Sequence, residues 1–153
     1  MRGLFILALS LISLNTFAAG SKIDIPKYDW SWKGFFGTYD RASAQRGLKV
    51  YREVCAGCHS MDLIAYRNLA DLGFSEAHIK AIAAEYLIPD GPNDEGEMFE
   101  REAIPSDRFA NPYPNVQAAR AANNGAYPPD LSLIVKARPK GADYLKALLL
   151  GYV

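Results

Sequence analysis

Apolar positions recur at helical spacing along most of this chain, and nowhere do they alternate convincingly at the spacing of a strand. The first stretch is different in kind. Leu4 to Leu14 is almost unbroken apolar sequence, with Arg2 before it and the small residues Ala18, Ala19 and Gly20 after it. Charge, apolar run and small-residue exit, in that order, predict a secretory signal over residues 1–20. The run is short of the ~20 apolar residues that span a bilayer, although an uncleaved N-terminal anchor is the alternative. Residues 21–38, with Pro26, Trp30, Trp32, Phe35, Phe36, Gly34 and Gly37, predict an extended aromatic arm that must pack on something. Residues 39–153 form the remaining domain.

That domain reads as helix after helix. Asp40 caps a helix running to about Val54, with Ala44, Gly47, Leu48, Tyr51 and Val54 as its apolar stripe. Gly47, one turn before Tyr51, is costly inside a helix and suggests close approach of a crossing element. A second helix is expected from about Leu63 to Leu72, ended by Gly73. Ser75 caps a third, which buries Ile79, Ile82, Ala83 and Tyr86 and stops before Pro89. Pro89, Gly91, Pro92, Gly96, Pro105 and Pro112 then punctuate a stretch up to Pro114 that predicts a long irregular loop. The loop is acidic: Asp90, Asp94, Glu95, Glu97, Glu100 and Glu102 face only Arg101. Charge alone reads as a solvated surface. Asn115 caps a short helix to about Asn123, with Asn124-Gly125 as its exit. Asp130 caps another from Leu131 to about Arg138, and a last one after Gly141 carries Tyr144, Leu145, Leu148 and Leu149. The fold class expected is all-α.

Composition adds limits. The sequence is 153 residues long, with 17 basic and 17 acidic side chains. A formal charge of zero leaves no global field for nucleic acid, so electrostatic docking has to come from local patches. Two cysteines in an exported protein ordinarily suggest a disulfide, but here they stand three positions apart with a histidine next: Cys55-Ala56-Gly57-Cys58-His59.

A CxxCH is the attachment signature of c-type haem. Two thiols at i and i+3 on a helix end reach the two vinyl groups on one porphyrin edge, and the next residue brings its imidazole beneath the iron. A thioredoxin-like redox pair needs a βαβ context that the pattern lacks. A zinc site needs two further ligands, and only His59 and His78 can add nitrogen. The sixth ligand is not evident: Met61 follows His59 too closely, and Met98 lies in the acidic loop. One covalent haem, held by Cys55, Cys58 and His59 in an oxidising compartment outside the cytoplasm, is the expectation.

The residues also resemble one family, cytochrome c1, the haem subunit of quinol–cytochrome c oxidoreductase (the cytochrome bc1 complex). The resemblance runs through Gln45-Arg46-Gly47, Val50-Tyr51, the Cys55–Met61 run, Ala65-Tyr66-Arg67, Asp90-Gly91-Pro92-Asn93 and Gly96-Glu97-Met98-Phe99. It continues in Pro112-Tyr113-Pro114-Asn115, Ala118–Gly125, Pro128–Leu131 and Leu148–Tyr152. It implies a cytochrome c-like haem domain, with Cys55 and Cys58 as thioether anchors and His59 as axial ligand. Asn123, Ala126, Pro128 and Pro129 match the family's haem wall. Arg138 matches a propionate partner, as suits a guanidinium, and Tyr144 and Leu148 match pocket residues. The partners implied are cytochrome b, the Rieske iron–sulfur protein and a soluble, basic cytochrome c, which the family docks through acidic surface. Asp94, Glu95 and Glu97 thereby become docking candidates. Family members continue past Gly151-Tyr152 to a distal methionine and a membrane-anchoring helix. The expectation is therefore a truncated chain in which Met98 stays off the iron. A free soluble periplasmic cytochrome c, a haem enzyme or gas sensor with an open distal site, and a metal-binding CxxC module remain the rivals.

Overall fold

The structure, a computed structural model, describes residues 24–151; the expected signal at 1–20, and Tyr152 of the Leu148–Tyr152 match, lie outside them. Asp40 caps the first helix, its carboxylate accepting the Ser43 amide at 3.2 Å. Helix α1 spans Arg41–Val50, and one π-helical turn, Tyr51–Cys55, carries it to the first cysteine. The Ala56 amide reaches back to the Tyr51 carbonyl at 2.8 Å. The wider turn shifts the helix face by a residue, so Tyr51 lies against the core while Val54, expected in the apolar stripe, is 71% exposed. The crossing element expected at Gly47 is not there among the described residues: a Cβ at that position would meet nothing within 4 Å.

The second helix is shorter and tighter than its periodicity suggests. A 3₁₀ helix covers Tyr66–Leu72 and ends at Gly73, whose φ of 89° suits a residue without Cβ. Ile64 and the first two residues of this helix bond to a returning segment, through Tyr66 N–H to Asp107 O (3.0 Å), Arg67 N–H to Pro105 O (2.7 Å) and Phe109 N–H to Ile64 O (2.9 Å). Ser75 caps α2, Glu76–Ala84, by accepting the His78 amide. The core lies here. Tyr66, Leu69, Ile79, Ala83, Ala103 and Phe109 form one buried cluster, with Leu48, Tyr51, Ile64, Ile82 and Tyr86 packed around it. Each large side chain so buried contributes about 1.5–3 kcal/mol.

The all-α expectation is corrected by a two-stranded antiparallel sheet, making the fold helix-rich rather than all-helical. Strand β1, Leu87–Asp90, pairs with β2, Phe99–Glu102, in the register Leu87↔Glu102 to Asp90↔Phe99. The long irregular loop is thus a hairpin over 87–102, followed by irregular chain. Proline in β1 reads as a breaker, and β2 (Phe-Glu-Arg-Glu) is too polar to alternate; an edge pair tolerates both. Asn93 shapes the hairpin loop, its side-chain oxygen accepting the amides of Glu95 (3.0 Å) and Glu97 (2.8 Å).

Asn115 caps α3, Val116–Ala122, as expected. The helix expected from Leu131 contracts to a single turn, α4, Ile134–Ala137, and Asp130 does not cap it. Its carboxylate is engaged elsewhere. Helix α5, Ala142–Leu150, closes the described chain and receives the aromatic arm. There the Asp143 carboxylate accepts Trp30 Nε1–H at 2.6 Å and the Tyr28 amide at 3.3 Å, while the Lys146 ammonium lies 4.1 Å from the Tyr28 ring centre. The Trp30, Trp32 and Tyr39 rings stack in series. The Trp30 hydrogen bond, with Tyr28 and Lys33 in support, holds Asp143 below the usual carboxylate range despite its desolvation. No helix among the described residues is long and apolar enough to cross a membrane.

Candidate functional site

The π-helical turn delivers Cys55 and Cys58 to one end of α1, where both thiols are free and that of Cys58 is exposed. The turn closes on itself through the Cys58 and His59 amides, both donating to the Cys55 carbonyl (3.1 and 2.8 Å). From the core side, the Tyr51 hydroxyl donates to the His59 carbonyl at 3.1 Å. Burial first, then the neighbouring Tyr86 and Asp130, push that hydroxyl well above its usual range, so it stays a neutral donor.

His59 is oriented from the other side. Its Nδ1 lies 2.8 Å from the Pro129 carbonyl oxygen. A carbonyl only accepts, so Nδ1 carries a proton there and Nε2 is the nitrogen left for a metal. The segment bearing that carbonyl is tied to the histidine turn at several points. Asp130 accepts the Ser60 hydroxyl (2.9 Å) and the Asp62 amide (2.7 Å) on one oxygen, and the Ser132 amide (2.9 Å) on the other. The Leu131 amide donates to Ser60 O at 2.9 Å, and the Leu63 amide to the Ser132 hydroxyl at 3.0 Å. Burial opposes the Asp130 charge, but these donors outweigh it and hold the carboxyl below its usual range.

Beside Cys58 opens a cleft of about 120 Å³, lined by Cys58, Pro112, Tyr113, Val116, Tyr127 and Pro128 among others. The Tyr113 hydroxyl is 3.9 Å from the Cys58 sulfur and accepts from the Asn123 amide group at 3.1 Å. Asn123 also donates to Ala119 O (2.7 Å), and the Ala126 amide returns to Asn123 O (2.9 Å). Of the residues matched to a haem wall, Pro128 therefore lines the cleft, Pro129 holds the histidine, and Asn123 and Ala126 shape the turn behind it. Arg138, exposed at the end of α4, and Tyr144 and Leu148, on α5, stand outside that lining. Asp94, Glu95 and Glu97 sit together in the hairpin loop, all exposed, and Met98 beside them is 66% exposed. His78 is exposed on α2.

Sequence reasoning misses Tyr51, Tyr113, Ser60 and Asp130 as site residues. Tyr51 counts only as one more apolar position, and Asp130 reads as a helix cap. The one local signal is the carboxylate that directly follows the stiff Pro128-Pro129 pair.

These residues fit a porphyrin held by thioethers. The thiols have an i, i+3 spacing and neither is consumed in a disulfide. The imidazole is oriented by the Pro129 carbonyl with Nε2 left over, and the adjoining cleft has proline and aromatic walls. Among the described residues no group of three or more His, Cys, Asp or Glu side chains comes together that could hold a metal ion. A helix that ends in CxxCH, with the histidine Nδ1 on a proline carbonyl and helices around it, defines the class of c-type cytochromes. Within that class the match is specific. The model of the Cytochrome C1 family covers residues 30–153, and the chain belongs to that family. It is 55% identical over 130 residues to the mitochondrial heme protein cytochrome c1-2 of Solanum tuberosum, covering 85% of this chain and 50% of the relative. Cytochrome c1 of Rhodospirillum rubrum is also 55% identical over 130 residues, covering 85% and 48%. A mitochondrial protein of Candida albicans named as the catalytic subunit of the cytochrome b-c1 complex is 53% identical over 135 residues, covering 88% and 47%. The chain spans about half the length of these curated relatives.

Proposed function

We propose that this chain is the haem-bearing part of an electron-transfer subunit of a respiratory quinol–cytochrome c oxidoreductase. It is a component of that oxidoreductase complex rather than an enzyme by itself. It takes an electron from the Rieske iron–sulfur protein, beside cytochrome b, and passes it to a soluble cytochrome c. A covalently attached haem c, bonded through Cys55 and Cys58, supplies the one-electron redox chemistry at its iron. The chain's own residues hold and orient. His59 would offer Nε2 to the iron, while Pro129 and Tyr51 fix its ring and its backbone. Asn123, Ala126 and Pro128 build the wall beside Cys58. Arg138 pairs with a propionate, and Tyr144 and Leu148 extend the pocket. Asp94, Glu95 and Glu97, exposed at the hairpin end, are the docking surface for a basic partner. Residues 1–20 export the chain to the periplasmic face of the inner membrane or its mitochondrial equivalent, and membrane association comes through the complex. The names of the relatives as heme proteins and as a cytochrome b-c1 complex subunit support this reading.

The observation that carries the proposal is the geometry at 55–59: two free thiols on the end of one helix, and an imidazole whose Nδ1 is engaged by the Pro129 carbonyl, leaving Nε2 as the nitrogen available to a metal. A pyridine haemochrome spectrum of the exported protein tests it. The c-type band is expected, and Cys58→Ala shifts it by leaving at most one thioether. An unshifted band in that variant sinks the assignment.

A further inference from the structure

We infer that Asp130 is a positioning residue for the axial histidine, acting through the peptide that carries the Pro129 carbonyl. The inference rests on the haem reading above and adds to it the device that sets the histidine's tautomer and basicity. The Pro129 carbonyl and the Asp130 amide belong to one peptide unit, so anchoring Asp130 orients the acceptor that His59 Nδ1–H meets at 2.8 Å.

That anchoring is dense. The Asp130 carboxylate receives the Ser60 hydroxyl, the Asp62 amide and the Ser132 amide, at 2.9, 2.7 and 2.9 Å. Two of these donors lie within three residues after His59, and Ser60 is 8% exposed. The Leu131 amide, one residue on, donates to the Ser60 carbonyl. The Pro129–Asp130 peptide is therefore bracketed by bonds to the residue next to the histidine. Pro128 and Pro129 restrict backbone rotation on the other side.

Two consequences follow at the ligand. The carbonyl stays in line with Nδ1–H, which strengthens the hydrogen bond and makes Nε2 a more basic donor to a metal. The carboxylate also places a negative charge beside the ligand in a partly buried setting, where charges are poorly screened. Both favour the higher oxidation state of an iron bound there. Asparagine in this position keeps the size but loses the charge and one of the two accepting faces.

The test uses the haem-loaded protein with Asp130→Asn, Ser60→Ala and Asp62→Asn. The Asp62 carboxylate is exposed, and only its amide enters the network, so Asp62→Asn controls for charge alone. Exchange of the His59 Nδ1–H is followed by NMR in the reduced, carbon monoxide-bound form, and the reduction potential is measured by titration. Asp130→Asn is expected to speed exchange roughly tenfold or more, the scale of losing a charge-assisted hydrogen bond. It is also expected to move the ferric/ferrous ratio at fixed ambient potential toward ferrous by on the order of tenfold, about 59 mV for one electron. Ser60→Ala should change both in the same direction by less, and it decides the matter if Asp130→Asn does not fold. Asp62→Asn should leave the exchange unchanged. Wild-type exchange and potential in both Asp130→Asn and Ser60→Ala would overturn the inference. So would equal potential shifts in Asp130→Asn and Asp62→Asn with exchange unaltered, since Asp130 would then be only a background charge. A wild-type protein with no c-type haemochrome band would instead overturn the haem reading.

Discussion

The histidine turn and the acidic hairpin both carry candidate functional residues, yet they are held in opposite ways. The turn at 55–63 is stapled by bonds from far along the chain: Pro129 to His59 and Asp130 to Ser60 each span 70 residues. It rests on the aromatic core through Tyr51, whose ring lies 6.0 Å from that of Phe109. The hairpin is held locally, by its own ladder and by Arg101, which binds Asp90 and grips Asp107 with two nitrogens at 2.7 and 3.2 Å. Its other carboxylates point to solvent. One region spends its hydrogen bonds on placing a single ring; the other leaves its charges outward. A site for a fixed group needs the first arrangement, and a surface for a transient partner needs the second.

The comparison can be broken hardest at the core beneath the turn. Tyr66 is 2% exposed and its ring lies 4.8 Å from Phe109. Tyr66→Ala should cost about 3–5 kcal/mol in chemical denaturation and loosen the histidine turn with it. Tyr66→Phe, which leaves only the Ala110 amide without its partner, should cost about 1 kcal/mol. Equal effects of the two would detach the turn from the core.

A smaller effect is expected at the hairpin on acidification. The Arg101 guanidinium holds Asp90 and Asp107 below the usual carboxylate range. Carboxyls depressed in the folded state stabilise it above their unfolded value of ~4 and lose that contribution as pH falls through the folded one. Amide exchange in 87–102 should therefore quicken below pH ~4 while that in the core does not, and Arg101→Met should remove the pH dependence. Uniform loss of protection throughout the molecule would deny the hairpin a separate stability.

The smallest structural effect, and the most selective functional one, is expected from Asp94→Asn, Glu95→Gln and Glu97→Gln together. These side chains are exposed, so the melting temperature should hold. Electron transfer to a basic soluble cytochrome c should slow at low salt and lose much of its salt dependence, since screening acts within ~10 Å at 0.1 M. An unchanged salt dependence returns the hairpin to a solvated surface.

Much of this molecule is legible in short-range sequence. Asp40, Ser75 and Asn115 cap the helices they are expected to cap, Gly73 ends the one it follows, and Cys55-Ala56-Gly57-Cys58-His59 names its own chemistry by spacing. All of these are signals between residues within about one turn of each other, where backbone geometry dictates who meets whom. The hairpin is not legible, because Pro89 and the polar β2 hide a pairing whose stability comes from Arg101 and from Ala103 reaching the core. The arm's destination is also hidden, since Trp30 meets Asp143 across 113 residues.

The sequence by itself therefore determines that two thiols and an imidazole stand together at the end of a helix. Only the tertiary structure decides which nitrogen of that imidazole is free. The choice belongs to Pro129 and Asp130, whose approach leaves no periodic trace because contacts at that separation are selected by packing of the whole chain and not by local backbone geometry.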